Sequence, residues 1–242
     1  MTATAVITGA AKGIGAACAK TFVDAGWSVI AVDRDAQALR TGGERTLAVV
    51  GDVSERRTNE QAVERAIEAF GRLDAVVGNA GVNLPKLIDN TTDDEFDRLF
   101  AVNVRALFYL AQAAHRALAE SQGSFTIVAS KTGLVAQRNS PVYVATKGAA
   151  VQLARALALD WAPERIRVNA VCPGIVDTPM LRDFVDALPD PERAWREHEQ
   201  AQPLGRLATP AECAAAVLFL ASPAASFITG VALPVDGGFT AE

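Results

Sequence analysis

Cysteine and histidine are scarce. Cys18, Cys172 and Cys213 are too few and too widely spaced for a disulfide framework or a Cys-x-x-Cys metal site. His115 and His198 stand alone, which argues against a zinc centre, and no metal is expected. Long apolar runs are missing: nothing reaches the roughly 18 residues a spanning helix needs. The start, Met1 to Gly9, lacks the basic opening and apolar run of a signal peptide. These absences lead us to expect a soluble, cytoplasmic protein of a reducing compartment with no membrane partner. An excess of positive charge is missing too. The 23 Lys and Arg are outweighed by 28 Asp and Glu, leaving −5, so no nucleic-acid partner is expected. Glycine and proline are scattered without period, which excludes collagen-like and low-complexity chains.

What is present is apolar residue in quantity. Half of the 242 residues are hydrophobic, enough to offset the entropy of ordering and to exclude intrinsic disorder. Short apolar runs alternate with longer helical patterns. The runs are Ala3–Thr8, Ser28–Asp33, Thr46–Val50, Ala75–Gly78, Ser124–Ala129, Arg167–Val171 and Ala232–Val235. Helical spacing fills Gly13–Ala25, Asn59–Phe70, a long stretch from Thr92 to about Ala119, Tyr143–Trp161, and Thr209 to about Ala221. Thr92 with Glu95, and Thr209 with Glu212, have capping-box spacing, in which hydroxyl and carboxylate each satisfy a free amide. Seven strands alternating with helices imply a doubly wound α/β (Rossmann) fold, a parallel sheet with helices on both faces. No linker or composition shift divides the chain, so 1–242 reads as one domain. The longest irregular stretch is Asp177–Leu207, with Pro179, Pro189, Pro191, Pro203 and a charged helical piece at Glu192–Gln200. It follows a strand's C-terminal end, where open α/β sheets bind ligands, and reads as a substrate loop or lid.

The first run enters Thr8-Gly9-Ala-Ala-Lys12-Gly13-Ile14-Gly15 and then a helix. Glycines let the backbone turn sharply and let a pyrophosphate approach, and the helix N-terminus offers free amides to that anion. No Lys-Ser/Thr pair follows the last glycine, so this is not a Walker A loop. Asp33 closes the second strand, 20 residues after Gly13, where a carboxylate can accept from the adenosine ribose hydroxyls. It would repel a 2′-phosphate, which favours NAD over NADP. Lys12 and Arg34 are cations able to accommodate that phosphate and speak the other way.

Tyr143 and Lys147 are four residues apart and share one helix face. A free tyrosine titrates near 10; an adjacent ammonium stabilises the phenolate and would make it a usable base. Ser130, 13 residues earlier, can hold a substrate oxygen and stabilise its developing charge.

With these residues in this register, the chain resembles the short-chain dehydrogenase/reductase family, in its branch of about 250 residues. Thr8–Gly15 resembles the family's cofactor turn, Asp52-Val53 its adenine-contacting pair, and Asn79-Ala80-Gly81 its turn after the fourth strand. Asn103, Ser130, Tyr143 and Lys147 match its active-site tetrad. Pro173, Gly174, Val176 and Thr178 match the segment that holds the nicotinamide amide. The resemblance implies that Lys147 also binds the nicotinamide ribose and that Asn103 anchors a water in a proton relay. It further implies a homotetramer built through the helices at about 94–119 and 143–161 and through the last helix and strand.

The resulting expectation is an NAD-dependent oxidoreductase for a small-molecule secondary alcohol or ketone. Its rivals are an NADPH-dependent 3-oxoacyl reductase and a non-catalytic dinucleotide-sensing protein. Some residues depart from the family pattern. Gly78 stands where a second Asn is frequent, and Lys131 follows Ser130 where small or polar residues are usual. Lys131 reads as a surface cation, with contact to an anionic substrate as the alternative. Arg138, Trp195 and His198 are further candidates near the pocket, each read as structural, and Cys172 reads as buried filler.

Overall fold

β-Branched and small apolar residues dominate the short runs, and the pleat of a buried strand suits both. In the computed structural model, which describes residues 2–39 and 43–241, every one of those runs is a strand. The chain passes through β1 (Thr4–Thr8), α1 (Gly13–Asp24), β2 (Ser28–Asp33), β3 (Thr46–Val50), α2 (Arg56–Phe70) and β4 (Ala75–Gly78). It continues through α3 (Asp93–Phe100), α4 (Ala106–Ser121), β5 (Ser124–Val128), α5 (Pro141–Asp160) and β6 (Arg167–Pro173). It ends with α6 (Pro179–Asp186), α7 (Pro191–Gln200), α8 (Pro210–Ala221) and β7 (Ala232–Val235).

The sheet has seven strands, all parallel, in the order β3-β2-β1-β4-β5-β6-β7. Strand order reverses between β1 and β4. The loops leaving those two strands diverge there and open a crevice at the carboxyl edge. Alternate residues of each strand feed two cores. Val6, Ile30, Ile127 and Val168 pack with α2, α4 and α5, whereas Ile7, Val29, Val77 and Val171 pack with α1 and α8. This is the period of two expected when both faces are covered. Burial is complete along β1, β4 and β5 but only partial in β3 and β7, because those are the sheet's edges. Among the described residues no helix is long and apolar enough to cross a membrane.

Both capping boxes form, at Thr92/Glu95 and Thr209/Glu212. Two expectations need correction. The helix read as one piece from Thr92 to Ala119 is interrupted: residues Ala101–Arg105 form a widened π turn between α3 and α4. Asn103 lies in that turn. Its side chain bonds sideways to the backbone of Val82, a contact the periodicity of α3 and α4 does not encode. Secondly, Asp177–Leu207 is mostly helical. The charged piece at 192–200 is α7, and Pro179–Asp186, irregular by its sequence pattern, is the helix α6. Thr178 and Asp190 each cap the amide three residues on, and Pro179 and Pro191 occupy the first position, where no N–H is needed.

Phe125 on β5 is fully buried in the core beneath α4 and α5, stacked with Trp161 at 6.3 Å between centroids. Phe125→Ala should cost about 3–5 kcal/mol, read as a drop in urea midpoint at unchanged slope. A loss below about 1 kcal/mol would contradict this packing.

Candidate active site

The crevice at the switch point is a cleft of about 820 Å³. Its floor is set by the turn after β1. Gly9 and Gly13 adopt positive φ, and a Cβ at Gly15 would run into the carbonyl of Gly9 and the amide of Asn79. Asn79 locks this turn from the neighbouring strand. Its Nδ2 donates to the carbonyls of Thr8 (2.9 Å) and Gly9 (3.2 Å). The amides of Asn79 and Ala80 both donate to Thr8 Oγ1, at 3.0 and 3.1 Å. Lys12 precedes α1, and no side chain caps that helix, unlike α3, α6, α7 and α8. The first amides of α1 therefore remain available to an anion.

At one end of the cleft Asp33 is held by two amides, Ala11 N–H to Oδ2 and Asp35 N–H to Oδ1, both at 3.0 Å. These fix its direction and leave lone pairs for hydroxyl donors. Asp52 lies nearby, its Oδ1 accepting from the Ser54 amide at 2.8 Å. Burial works to raise the Asp52 carboxyl, but hydrogen bonds from Ser54 and the charges of Arg34 and Arg98 outweigh it and hold its pKa below the ordinary value.

At the other end Ser130, Tyr143 and Lys147 face the same cavity. Ser130 Oγ accepts from the Thr132 amide (3.2 Å) and the Thr132 hydroxyl (3.0 Å). Both acceptor positions are thereby taken, so the remaining proton is a donor directed elsewhere. Tyr143 is pushed up to about 12 by burial, with Ser130 acting in the opposite sense. The expected lowering by Lys147 is not found here. Lys147 Nζ donates to the carbonyl of Val128 at 3.1 Å and lies 5.8 Å from the centroid of the Tyr143 ring. Burial brings Lys147 itself down to about 8, against the influence of Cys172. Spacing along the helix put the two groups on one face; the neighbouring strand carbonyl decides where the ammonium points.

Of the residues anticipated from sequence, Gly9, Lys12, Gly13, Ile14, Asp33, Asp52, Val53, Asn79, Ala80 and Gly81 line the cleft. So do Ser130, Tyr143, Lys147, Pro173, Gly174, Val176 and Thr178. Gly15 and Asn103 lie behind its wall. Asn103 is 1 % exposed; Oδ1 accepts from the Val82 amide at 2.9 Å, and Nδ2 donates to Val82 O (2.9 Å) and Thr146 Oγ1 (3.0 Å). Both amide protons are committed, so any water held by this side chain would have to donate to Oδ1. His198 reaches the cavity; Arg138 and Trp195 do not line it. Lys131 corrects the surface reading: it is 6 % exposed and lines the cleft. Gly78 is explained by packing, because a Cβ there would meet the buried Leu107. All three cysteines are free and buried, Cys172 with its thiol pushed up to about 11, which leaves it inert at neutral pH.

Sequence reasoning missed several contributors. Thr8 and Thr132 act through hydroxyls that organise Asn79 and Ser130. Gln202 is 1 % exposed and ties the end of β6 to the end of α7, with Oε1 accepting from Ile175 N–H at 2.8 Å and Nε2 donating to Ile175 O at 3.2 Å. Phe239 closes one side of the cavity. Strand-end threonines after a hydrophobic run were a usable signal for Thr8; nothing local marked Gln202.

A family model described as enoyl-(acyl carrier protein) reductase matches residues 9–240. The chain is 39% identical over 237 residues to the L-fucose dehydrogenase of Mus musculus, covering 96% of this chain and 86% of that one. It is 40% identical over 245 residues to the cis-4-hydroxycyclohexanecarboxylate dehydrogenase of Sinomonas cyclohexanicum, covering 98% and 96%. Among solved structures, the 3-ketoacyl-(acyl-carrier-protein) reductase of Brucella melitensis complexed with NADH superposes with a TM-score of 0.91, at 37% identity and 98% coverage of both chains. The parallel sheet, the glycine turn and these matches together make the chain a member of the short-chain dehydrogenase/reductase family. It is an oxidoreductase of alcohol groups, and its family uses NAD or NADP.

The buried lysine gives a pH signature. Lys147 titrates near 8 in the folded protein and near its ordinary 10.5 unfolded. Between those values the unfolded chain holds the extra proton, so this group's contribution to stability rises with pH. Lys147→Met should be stabilised relative to the parent most strongly at about pH 7, and the gap should narrow by about pH 10 in urea titrations. A gap that widens with pH would show that the ammonium is not desolvated.

Proposed function

We propose that the protein is an NAD-dependent dehydrogenase interconverting a secondary alcohol and a ketone on a small molecule. The observation that carries this reading is the shared cavity: Ser130, Tyr143 and Lys147 face the same space onto which the glycine turn opens. The turn fits a dinucleotide on its own features, an uncapped helix start and a glycine where a Cβ would close the bend. Gly9, Gly13, Ile14 and Gly15 would border the pyrophosphate; Asp52, Val53, Asn79, Ala80 and Gly81 the adenine and nicotinamide halves; Pro173, Gly174, Val176 and Thr178 the amide. When bound, the dinucleotide supplies the hydride donor or acceptor.

Tyr143 handles the proton. Its raised pKa keeps the phenol protonated at neutral pH in the free protein, poised to protonate a ketone oxygen. Microscopic reversibility makes the same atom the acceptor in alcohol oxidation. Ser130, with its free proton, holds the substrate oxygen and offsets the charge that develops there. Lys147 contributes its ammonium to the ribose and to the field at the phenol. Asn103 acts by pinning Val82 beside Gly81 and by offering Oδ1 to a relay water.

NAD is preferred because the Asp33 carboxylate is oriented at the cleft by two amides and would oppose a 2′-phosphate. Lys12 and Arg34 line the same region and are the observation behind a second reading, an NADPH-linked reductase. We read 1–242 as one domain, with 177–207 as a lid over the substrate, in a cytoplasmic homotetramer. Exposed Phe108 on α4, Leu159 on α5 and Phe219 on α8 are the apolar side chains such an assembly would cover.

Tyr143→Phe should bind NADH as the parent does but lose about 10²–10⁴-fold in kcat. Retention of most turnover would remove the phenol from proton transfer. Asp33→Ala should raise the NADP-to-NAD ratio of kcat/KM by about 10-fold or more, the scale of one lost charge-assisted hydrogen bond. An unchanged ratio would take the carboxylate off the ribose.

A further inference from the structure

Lys131 is a buried cation that the mechanism above leaves without a task. It follows Ser130 directly and opens a 3-10 turn, Lys131–Gly133, pressed so closely onto α5 that a Cβ at Gly133 would meet the Lys147 carbonyl. The residue is 6 % exposed and lines the cleft. Its Nζ lies 3.1 Å from the centroid of the Phe239 ring, on the ring face. Burial lowers its pKa to about 8, against the influence of Asp236. Asp236 is already engaged by the C-terminal turn, accepting from the amides of Gly238 (3.1 Å) and Thr240 (2.9 Å) and from the Thr240 hydroxyl (2.7 Å). Among the described residues, Lys131 Nζ makes no hydrogen bond within 3.5 Å and has no carboxylate oxygen within 4.0 Å.

An ammonium carries three donors; the stem of Lys131 is buried, while its Nζ keeps contact with the cavity. The Phe239 face can accept from only one side. The other side is the cavity. Groups of both signs line the rest of it. Lys12, Arg34, Asp33 and Asp52 sit at the glycine-turn end, Lys147 beside Tyr143, and Asp183, Glu197 and His198 on α6 and α7. Asp183 and Glu197 are exposed, so water screens them, whereas Lys131 is largely desolvated in the cavity that Ser130 and Tyr143 also line.

We propose that Lys131 is a specificity-determining residue that binds a carboxylate on the substrate, making the preferred substrates secondary-alcohol acids and their keto acids. This rests on the dehydrogenase reading, with Ser130 and Tyr143 holding the reacting oxygen while Lys131, one residue on, holds the acid group. A neutral sugar or diol would meet the same donors but bring no charge to pair with the ammonium.

The test uses the full-length protein and ratios that cancel losses of active material. Steady-state kcat/KM with NAD is measured for 3-hydroxybutyrate and 3-hydroxycyclohexanecarboxylate, each against its primary carboxamide, in the parent, Lys131→Met and Lys131→Arg. Calorimetry in parallel measures cyclohexanecarboxylate against cyclohexanecarboxamide, neither of which can be oxidised at a hydroxyl. The parent should favour carboxylate over carboxamide by about 10-fold or more in both assays. Lys131→Met should bring the ratio to about one, and Lys131→Arg should keep it above one. Equal ratios in parent and Lys131→Met, a preference for the carboxamide, or no binding of the carboxylate overturns the proposal. If no alcohol is turned over yet the calorimetric ratio depends on Lys131, the dehydrogenase reading fails while the carboxylate site stands.

Discussion

The amide of Asn79 reaches from the end of β4 to the carbonyls of Thr8 and Gly9, while Thr8 Oγ1 receives two amides in return. These bonds close the gap between two strands whose loops would otherwise diverge. They set the height of the glycine turn above the sheet, and with it the direction of the α1 amides. Gly15 sits directly behind, where any side chain would prise the turn away from Asn79. A phosphate site made of backbone depends on such a lock, because amides in a mobile turn lose their common aim.

The second half of the cleft is organised the same way, by residues that act through others. Thr132 occupies both acceptor positions of Ser130 and so turns its proton outward. Asn103 pins Val82 from a π turn, and the carbonyl of Val128 holds Lys147. Gln202 joins β6 to the end of α7, and a bridge between Val176 and Ala208 ties off the base of the segment that carries α6 and α7. The segment that carries α6 and α7 is thus anchored at both ends. Its exposed middle, by contrast, is free to vary with the substrate.

Burial of charge runs through the site. Lys131 and Lys147 are both desolvated, and Tyr143 is pushed to the protonated side by the same cause. Inside the protein the Lys147 ammonium leans on the Val128 carbonyl, and burial outweighs the opposing influence of Ser130 on the phenol. Ligand charge entering such a space has large leverage, since little solvent remains to screen it.

The local pattern determined a great deal by itself. Strand runs, capping boxes and the glycine turn are written in neighbouring residues, so the sheet, its helices and the floor of the cleft could be read directly. The spacing of Tyr143 and Lys147 was legible for the same reason, since four residues make one helical turn, and Ser130 was legible through the family register. Tertiary structure decided what depends on contacts between distant segments. Asn103 bonds Val82 from a π turn in a helix whose periodicity looks regular. Phe239, more than a hundred residues along the chain, covers Lys131 and turns an apparent surface cation into a buried one. The protonation of Tyr143 follows from desolvation, and desolvation is a property of the packed neighbourhood that no stretch of sequence contains on its own.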